Sequence, residues 1–385
     1  MHWLAVVIGA VAAVFVFARA VFRIASPFWS RQPVFHPYRL DMWINSGRVI
    51  DASLPPPTNK YNEFAAMETA NTESLNPNER DEIAAFVADH YLRDRTAVYA
   101  PEWRTVSAGM DGGSHSSFFC CGRDPQGKIV STISARSLEV RTPGAAPFWV
   151  YYVDNLCVHT RHRRAGVAPA AIRKIYHDLR HSTPDIQVCL FKREGVTMGI
   201  MPLTIFPVMA YHAGALERLA CKVEMESVVA VETPTEVRDA WERARWLASA
   251  YRVSVTCPLP AMVSAVGTGA MFIYTVRSRS GEISAVALLR DPACTYSDGK
   301  ALELACFVHD LSDRKAARAA AAICKHACQD HLATVVVIDV CGASRLLVKA
   351  LRAEGRKPQF ESRTSLFLYN YVEKPHPPSN CAFLF

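Results

Sequence analysis

Asp154 and Asn155 are the two polar residues inside an otherwise apolar run, Val150 to His159 (VYYVDNLCVH). The run leads straight into Arg163-Arg164-Ala165-Gly166-Val167-Ala168, an R-x-x-G-x-A hexad, and then into Pro169. Beyond it, Ile172, Ile175, Tyr176 and Leu179 recur at i, i+3, i+4 and i+7, the spacing of one face of a helix. Gly166 permits a tight turn with close backbone approach, and Pro169 suits a first helical turn, where an N–H is not needed. A strand, a basic glycine turn and a helix N-terminus make an anion cradle, because unpaired amides and the positive end of the helix dipole face the same point. A diphosphate is the natural guest. An ordinary strand-to-helix turn uses the same residue types, so the hexad alone leaves both readings open.

Other groupings carry less. Asp111, Ser114 and His115 invite a triad reading, but they sit in a Gly/Ser turn (MDGGSHSS) and the chain has no G-x-S-x-G elbow. Cys324, His326 and Cys328 share one helical stretch, and two sulfurs on one helix do not close a tetrahedral site, so no metal is expected. The basic run Arg161 to Arg164 has no recognition module or aromatic ladder beside it, so phosphates of a small ligand are favoured over nucleic acid.

The elements that must position these residues can be read from pattern. Asn76 is a cap candidate for an amphipathic helix with Ile83, Phe86, Val87 and Leu92 on its apolar face. Ser117–Cys121, Lys128–Ala135 and Phe148–His159 are β-branched or aromatic runs separated by the turn sequences DPQGK and RTPGAAP. In the second half, Asp239–Tyr251 and Lys315–His331 predict helices, and residues 270–278 and 282–289 predict a hairpin over RSRSG. Residues 301–309, 335–340 and 365–371 predict strands. The same order of helix, antiparallel strands and strand-into-helix thus occurs twice, which predicts two similar α/β lobes, 77–230 and 231–385. Residues 25–76, rich in Pro and polar residues, read as an extended arm and linker.

Composition agrees with a folded chain of this kind. Its 385 residues are 50% hydrophobic and 21% charged with a net charge of +7, which excludes large-scale disorder and favours anionic ligands without demanding a polyanion. The 12 cysteines are scattered with no CxxC pair, the usage of buried thiols in a reducing compartment. At the N-terminus, Trp3 to Ala18 is uncharged and apolar, about 24 Å long as a helix. Basic Arg19, Arg23 and Arg31 follow it, so this stretch is expected to be a single transmembrane anchor (1–24) with the remainder in the cytosol. A cleaved signal peptide is the competing reading, but a basic n-region is missing.

Three blocks resemble one family. The strand, hexad and helix resemble the acetyl-CoA-binding segment of the GNAT acyltransferases. More closely, NLCVHTRHRRAGVAPAAIRKI is similar to the N-myristoyltransferase signature, Phe28-Trp29-Ser30-Arg31-Gln32-Pro33-Val34 to the arm that begins that family's core, and Leu366-Phe367-Leu368-Tyr369-Asn370-Tyr371 to its Y-Y-L-Y-N-W strand. Weaker echoes lie at His90-Tyr91-Leu92, Ala210-Tyr211-His212 and Ile338-Asp339. The resemblance implies a tandem pair of GNAT-like lobes with mixed, mostly antiparallel sheets flanked by helices, here preceded by the transmembrane helix. It implies acyl-CoA, foremost myristoyl-CoA, as co-substrate, and a protein or peptide with an N-terminal glycine as acceptor; the enzyme is expected to be monomeric, and its anchor, not part of the usual family core, is expected to place it on a membrane.

The resemblance also distributes roles. Pro27, Phe28 and Trp29 with Arg163, Arg164, Ala165, Gly166, Val167, Ala168 and Pro169 would contact CoA, and Cys157 and Val158 would line the pantetheine. Backbone amides of Asn155 and Leu156 would polarise the thioester carbonyl, and a bulge at Asn155 would free them from the ladder. The C-terminal carboxylate of Phe385 would be the base, and Tyr91, Tyr211, His212 and Asp339 would meet the acceptor. Two departures stand out. Asp154 replaces the family's Asn, placing a carboxylate where it assists deprotonation or orients the amine. The family's acidic first loop reads Tyr91-Leu92-Arg93-Asp94-Arg95-Thr96 here, which turns acceptor preference away from basic peptides. A GNAT enzyme with a shorter acyl-CoA and another amine, and a silent acyl-CoA or lipopeptide binder, are the alternatives.

Overall fold

The computed structural model describes residues 2–56, 67–91, 97–195, 199–220 and 228–385. Helix α1 (His2–Ala25) forms where the apolar run lies, but among the described residues no helix is long and apolar enough to cross a membrane. This overturns the expected transmembrane anchor, and with it the single-pass membrane placement. The last turns of α1 carry Arg19 and Arg23, and between them Phe22 is 5% exposed, set edge-on against the His36 ring at 5.6 Å. Gly199 leaves room for that ring, since a Cβ there would collide with it. The end of α1 is therefore docked on protein.

The arm after α1 is threaded into the fold. Val34 bridges to Tyr369, Phe35 and Met42 are buried, and the Asn370 side chain donates to the carbonyls of Asp51 and Gln187. Residues 57–66 of the expected linker lie outside the described residues. Helix α2 (Pro77–His90) starts for a local reason: Asn76 accepts from the Glu79 amide at 3.0 Å while Glu79 accepts from the Asn76 amide at 2.9 Å, a capping box with Pro77 at the first position. Leu92, expected on this helix, lies outside the described residues.

The remaining strands are β1 (Met67–Asn71), β2 (Phe118–Arg123), β3 (Ile129–Arg141), β4 (Phe148–Val158), β5 (Val188–Glu194), β6 (Thr204–His212), β7 (Val228–Val231), β8 (Val253–Thr256), β9 (Met271–Arg277), β10 (Ile283–Arg290), β11 (Gly299–His309), β12 (Val335–Asp339), β13 (Phe360–Tyr369) and β14 (Cys381–Leu384). The helices between them are α3 (Val167–Ser182), α4 (Pro234–Ala248), α5 (Leu259–Gly267), α6 (Asp313–Asp330) and α7 (Ser344–Ala353). The main path runs β14-β8-β3-β4-β5-β13-β6-β12-β11-β10-β9-β7, so strands from both halves of the chain belong to one mixed sheet. Most pairs are antiparallel; β4/β5, β11/β12 and β8/β14 are parallel, the first two each bridged by a helix, α3 or α6.

The C-terminal strands place the site. β13 inserts between β5 and β6 through antiparallel ladders on both sides, and β14 runs parallel to β8 with Leu384 opposite Thr256. Cys381 to Phe385 are all buried, in a cluster with Trp241, Val255 and Met262, so the chain end is core rather than frayed. The eleven described cysteines are free thiols, ten of them buried.

Candidate active site

Ile133 on β3 faces two residues of β4, not one. The register passes from Thr132 opposite Cys157 to Ser134 opposite Asp154, leaving Asn155 and Leu156 against the single Ile133. This is a β-bulge, and Asn155 takes φ 52, the left-handed region where Asn is tolerated better than most residues. Three bonds pin it: the Asn155 amide nitrogen of the side chain donates to Val106 O at 3.1 Å and to Ser134 Oγ at 3.0 Å, and the Thr132 hydroxyl donates to Asn155 O at 3.0 Å. The backbone N–H of Asn155 is withdrawn from the ladder, but it is not idle. It donates to Asp154 Oδ1 at 2.8 Å, and the same oxygen accepts from the Tyr91 hydroxyl at 3.1 Å.

Two cavities meet at this bulge. One, about 550 Å³, is mainly apolar: Phe28 and Trp29 of the arm, Leu156, Ala168 and Pro169, and Phe191. Trp29 stacks on Phe191 at 5.4 Å and Phe191 on Phe367 at 5.1 Å, so arm, β5 and β13 form one aromatic wall. The other cavity, about 360 Å³, is polar and is lined by Arg136, Lys192, Arg290, Glu303, Asp339 and Phe385. Tyr91, Asp154, Lys192 and Glu194 line both. A thioester in the first cavity and an amine in the second would therefore meet beside Asp154.

The turn after β4 is shaped for an anion. Gly166 caps α3 with φ 82, a conformation that favours glycine, and Arg164 is left-handed at φ 66. Arg163 braces the turn, its guanidinium donating to Val158 O at 3.1 Å and His90 O at 2.8 Å, while Arg164 is exposed. The first turn of α3 carries no acid to compete with a phosphate, and Pro169 stands at its third position.

Electrostatics in the polar cavity rest on a quartet of two buried carboxylates, Glu303 and Asp339, and two half-buried cations, Lys192 and Arg290. Arg290 grips Glu303 through two bonds of 2.8 and 2.5 Å, and Lys192 lies 2.8 Å from Asp339 Oδ2 and 3.8 Å from Glu303. Burial alone would raise the Glu303 carboxyl, but the Arg290 and Lys192 charges outweigh it and hold it at about 2. Burial raises the Asp339 carboxyl above its ordinary range, and Lys192 offsets this only in part. The Asp154 charge, then burial, pushes the Tyr91 hydroxyl well up, so Tyr91 is a donor to Asp154 at neutral pH. Phe385 lies with its ring 4.8 Å from that of Tyr152.

Of the residues singled out in the sequence, Phe385, Asp154, Asn155, Tyr91 and Asp339 converge on the polar cavity, and Phe28, Trp29, Leu156, Ala168 and Pro169 on the apolar one. Pro27 sits just outside, its carbonyl accepting from Ser30 Oγ. Cys157 is buried against Ile83, Phe86 and Val87 of α2, and Val158 is buried with its carbonyl on Arg163. Tyr211 is fully buried on the far side of the sheet, among Leu216 and the α6 alanines, and His212 is exposed, capping a turn through the Gly214 amide at 3.1 Å. Arg93 and Arg95 of the altered loop lie outside the described residues. Pattern reading missed Arg136, Lys192, Arg290 and Glu303; their one signal is a charge inside a strand-like run, as in ALLRD and ALELA.

Comparison with known proteins agrees at the level of fold. No protein-family model and no curated protein sequence matches the chain. Among solved structures it is similar to Saccharomyces cerevisiae N-myristoyltransferase with bound myristoyl-CoA, at 15% identity over 93% of this chain and 96% of that one, with a TM-score of 0.69. A second yeast N-myristoyltransferase structure, with myristoyl-CoA and inhibitors, matches at 15% identity over 96% of this chain and 97% of that one, also with a TM-score of 0.69. The chain thus has the N-myristoyltransferase fold, from arm to terminal strand.

Proposed function

We propose that the chain is an N-myristoyltransferase-like acyltransferase that moves a long acyl group from acyl-CoA to an N-terminal glycine amine. The observation that carries this reading is the meeting of an apolar and a polar cavity at a bulged strand, with the chain's own terminus in the polar one. The lobe 77–230 would bind acyl-CoA and the lobe 231–385 would supply the chain end and much of the acceptor site. The CoA diphosphate is assigned to the α3 N-terminus with Arg164 and Gly166, and the acyl chain to the wall of Phe28, Trp29, Leu156 and Phe191.

The chemistry follows from these positions. Transfer needs a neutral amine, so the ammonium proton passes to the Phe385 carboxylate, with Asp154 as a second acceptor or as the group that orients the amine. The amine attacks the thioester carbonyl, and the oxyanion is assigned to the Asn155 and Leu156 amides. Because Asp154 holds the Asn155 N–H at 2.8 Å, the thioester oxygen must displace that carboxylate, which moves it toward the incoming amine. Collapse expels CoA as the thiol. Tyr91 and Asp339 are assigned to the acceptor.

The test is CoA release by the full chain with acyl-CoAs from two to sixteen carbons, each with and without Gly-initiated peptides. Release that peaks near fourteen carbons and requires the glycine amine supports the reading. Release with acetyl-CoA alone, or tight binding without release, refutes it.

A further inference from the structure

Arg136 is the one charged side chain of the polar cavity that is both deeply buried and without a hydrogen-bonding partner among the described residues. It is 8% exposed, lines the cavity and lies over two rings, 5.3 Å from the centre of Tyr152 and 5.8 Å from that of Phe385. Lys192 and Arg290 lie beside it but are taken by Asp339 and Glu303. Asp291 is matched by Lys300 at 3.0 Å. The backbone makes room for the guanidinium: Gly109 has φ 71, and a Cβ there would collide with it. Asp339 Oδ1 is also buried without a hydrogen bond, but that carboxylate is matched by Lys192 through Oδ2, whereas Arg136, which lines the cavity, has no ion-pair partner among the described residues.

A guanidinium with five donors and no acceptor is costly to bury, and a carboxylate matches its fork through two parallel bonds. Asp154 and Glu194 also line the cavity without an ion-pair partner among the described residues; they are anionic and, with the Phe385 carboxylate of the proposed mechanism, suit the ammonium of the acceptor. We infer that Arg136 selects acceptors that carry a carboxylate close to the reacting amine, so the site takes a zwitterion. Because Arg136 stacks over the Phe385 ring, that carboxylate lies next to the amine, either as an acidic side chain in the first residues after glycine or as the α-carboxylate of a small amino acid. The inference rests on the transferase reading and names its substrate class.

The test uses full-length protein loaded with myristoyl-CoA. Binding of heptapeptides beginning Gly-Asp and Gly-Asn, and of free glycine, is measured by calorimetry, and CoA release gives KM and kcat for each. The expected result is that Gly-Asp binds about 10-fold or more tighter than Gly-Asn, with the difference in KM rather than kcat. In Arg136→Met the ratio falls to about one, and in Arg136→Lys, which keeps a charge should the first variant fail to fold, it is intermediate. Free glycine accepting the acyl group, with Gly-Asp and Gly-Asn alike, assigns the carboxylate to a small amino acid instead. Equal binding of both peptides with no acylation of free glycine overturns the inference, as does an equal loss for both in Arg136→Met, the result if Arg136 only seats the chain end. Acid preference in binding without CoA release from any acceptor would uphold the inference and sink the transferase reading.

Discussion

Deleting Phe385 and replacing it with alanine perturb the same position in different ways. Alanine keeps the terminal carboxylate where β14 delivers it but removes a ring that is 7% exposed and packed on Tyr152 at 4.8 Å, which costs about 3 kcal/mol of stability, toward the low end for a core Phe because one face meets the cavity. Deletion draws the carboxylate back about 3.3 Å along the strand, onto Leu384, which is fully buried and pairs with Thr256. A proton acceptor must lie within about 3 Å of its proton, so deletion removes the base entirely, and the chemical step falls by about 10²- to 10⁴-fold. The assay is single-turnover CoA release with a Gly-initiated peptide, at a temperature where circular dichroism shows each variant folded. The expected pattern is a large drop in melting temperature with a modest rate loss for Phe385→Ala, against a rate loss of at least 100-fold for the deletion with acyl-CoA binding retained. A deletion variant that turns over within a few-fold of the parent chain would refute the assignment of the base to the terminus.

Three further outcomes follow from the site. Asp154→Asn is expected to lower kcat about 10-fold, less than a principal base. It should also let the Tyr91 hydroxyl, held up first by the Asp154 charge, ionise at lower pH, seen as an earlier tyrosinate step in ultraviolet titration; unchanged turnover would remove Asp154 from the mechanism. Gly166→Ala meets no steric contact but must hold φ 82, so it is expected to cost about 1 kcal/mol of local order and weaken acyl-CoA binding about 5-fold by calorimetry. Glu303, lowered from 4.5 to about 2, contributes about 3 kcal/mol that is fully present above pH 4.5 and is lost as pH falls toward 2. Glu303→Gln should forfeit a similar amount already at pH 7 in urea unfolding, because it removes the carboxylate that the half-buried Arg290 grips through two bonds.

The parts of this architecture legible in sequence are those whose signal is local. Asn76 ahead of an apolar helical face announces α2, β-branched and aromatic runs announce β3 and β4, two runs about RSRSG announce β9 and β10, and a strand with a basic glycine turn announces α3. β8 escapes pattern reading because four residues carry no period, and β5 and β6 because their burial does not alternate along the strand: β5 passes from a buried start to an exposed end, and β6 holds three successive buried residues, Met209 to Tyr211. The N-terminal run misled for a physical reason: an apolar helix reads the same in composition whatever covers it, and the docking of Phe22 on His36 and Tyr38 joins residues that only the folded chain brings into contact. Three members of the charged quartet, all but Asp339, escaped pattern reading for the same cause. Lys192, Arg290, Glu303 and Asp339 come from four strands, and no spacing rule links them.

In the proposed mechanism, topology would make a functional group of the chain end. A free carboxylate at a chain end is ordinarily solvated and mobile, so it has neither position nor a shifted proton affinity. Here β13 is locked between β5 and β6, the Asn370 side chain fastens the following turn to the arm, and β14 returns parallel to β8 with four residues in register. Every residue from Cys381 onward is buried, and Phe385 packs against Tyr152 and lines the same cavity as Asp154 and Asn155 of the β4 bulge. Asp154 gives this chain a second carboxylate on the other side of the junction, and Arg136 a cation behind the first. An amine entering between them meets anionic groups from both the donor and the acceptor side, which favours capture of the ammonium but slows its release as free amine. The positive charge of the Arg136 guanidinium, set over the Phe385 ring, offsets part of that anionic field, and a carboxylate on the acceptor would give the guanidinium its missing partner.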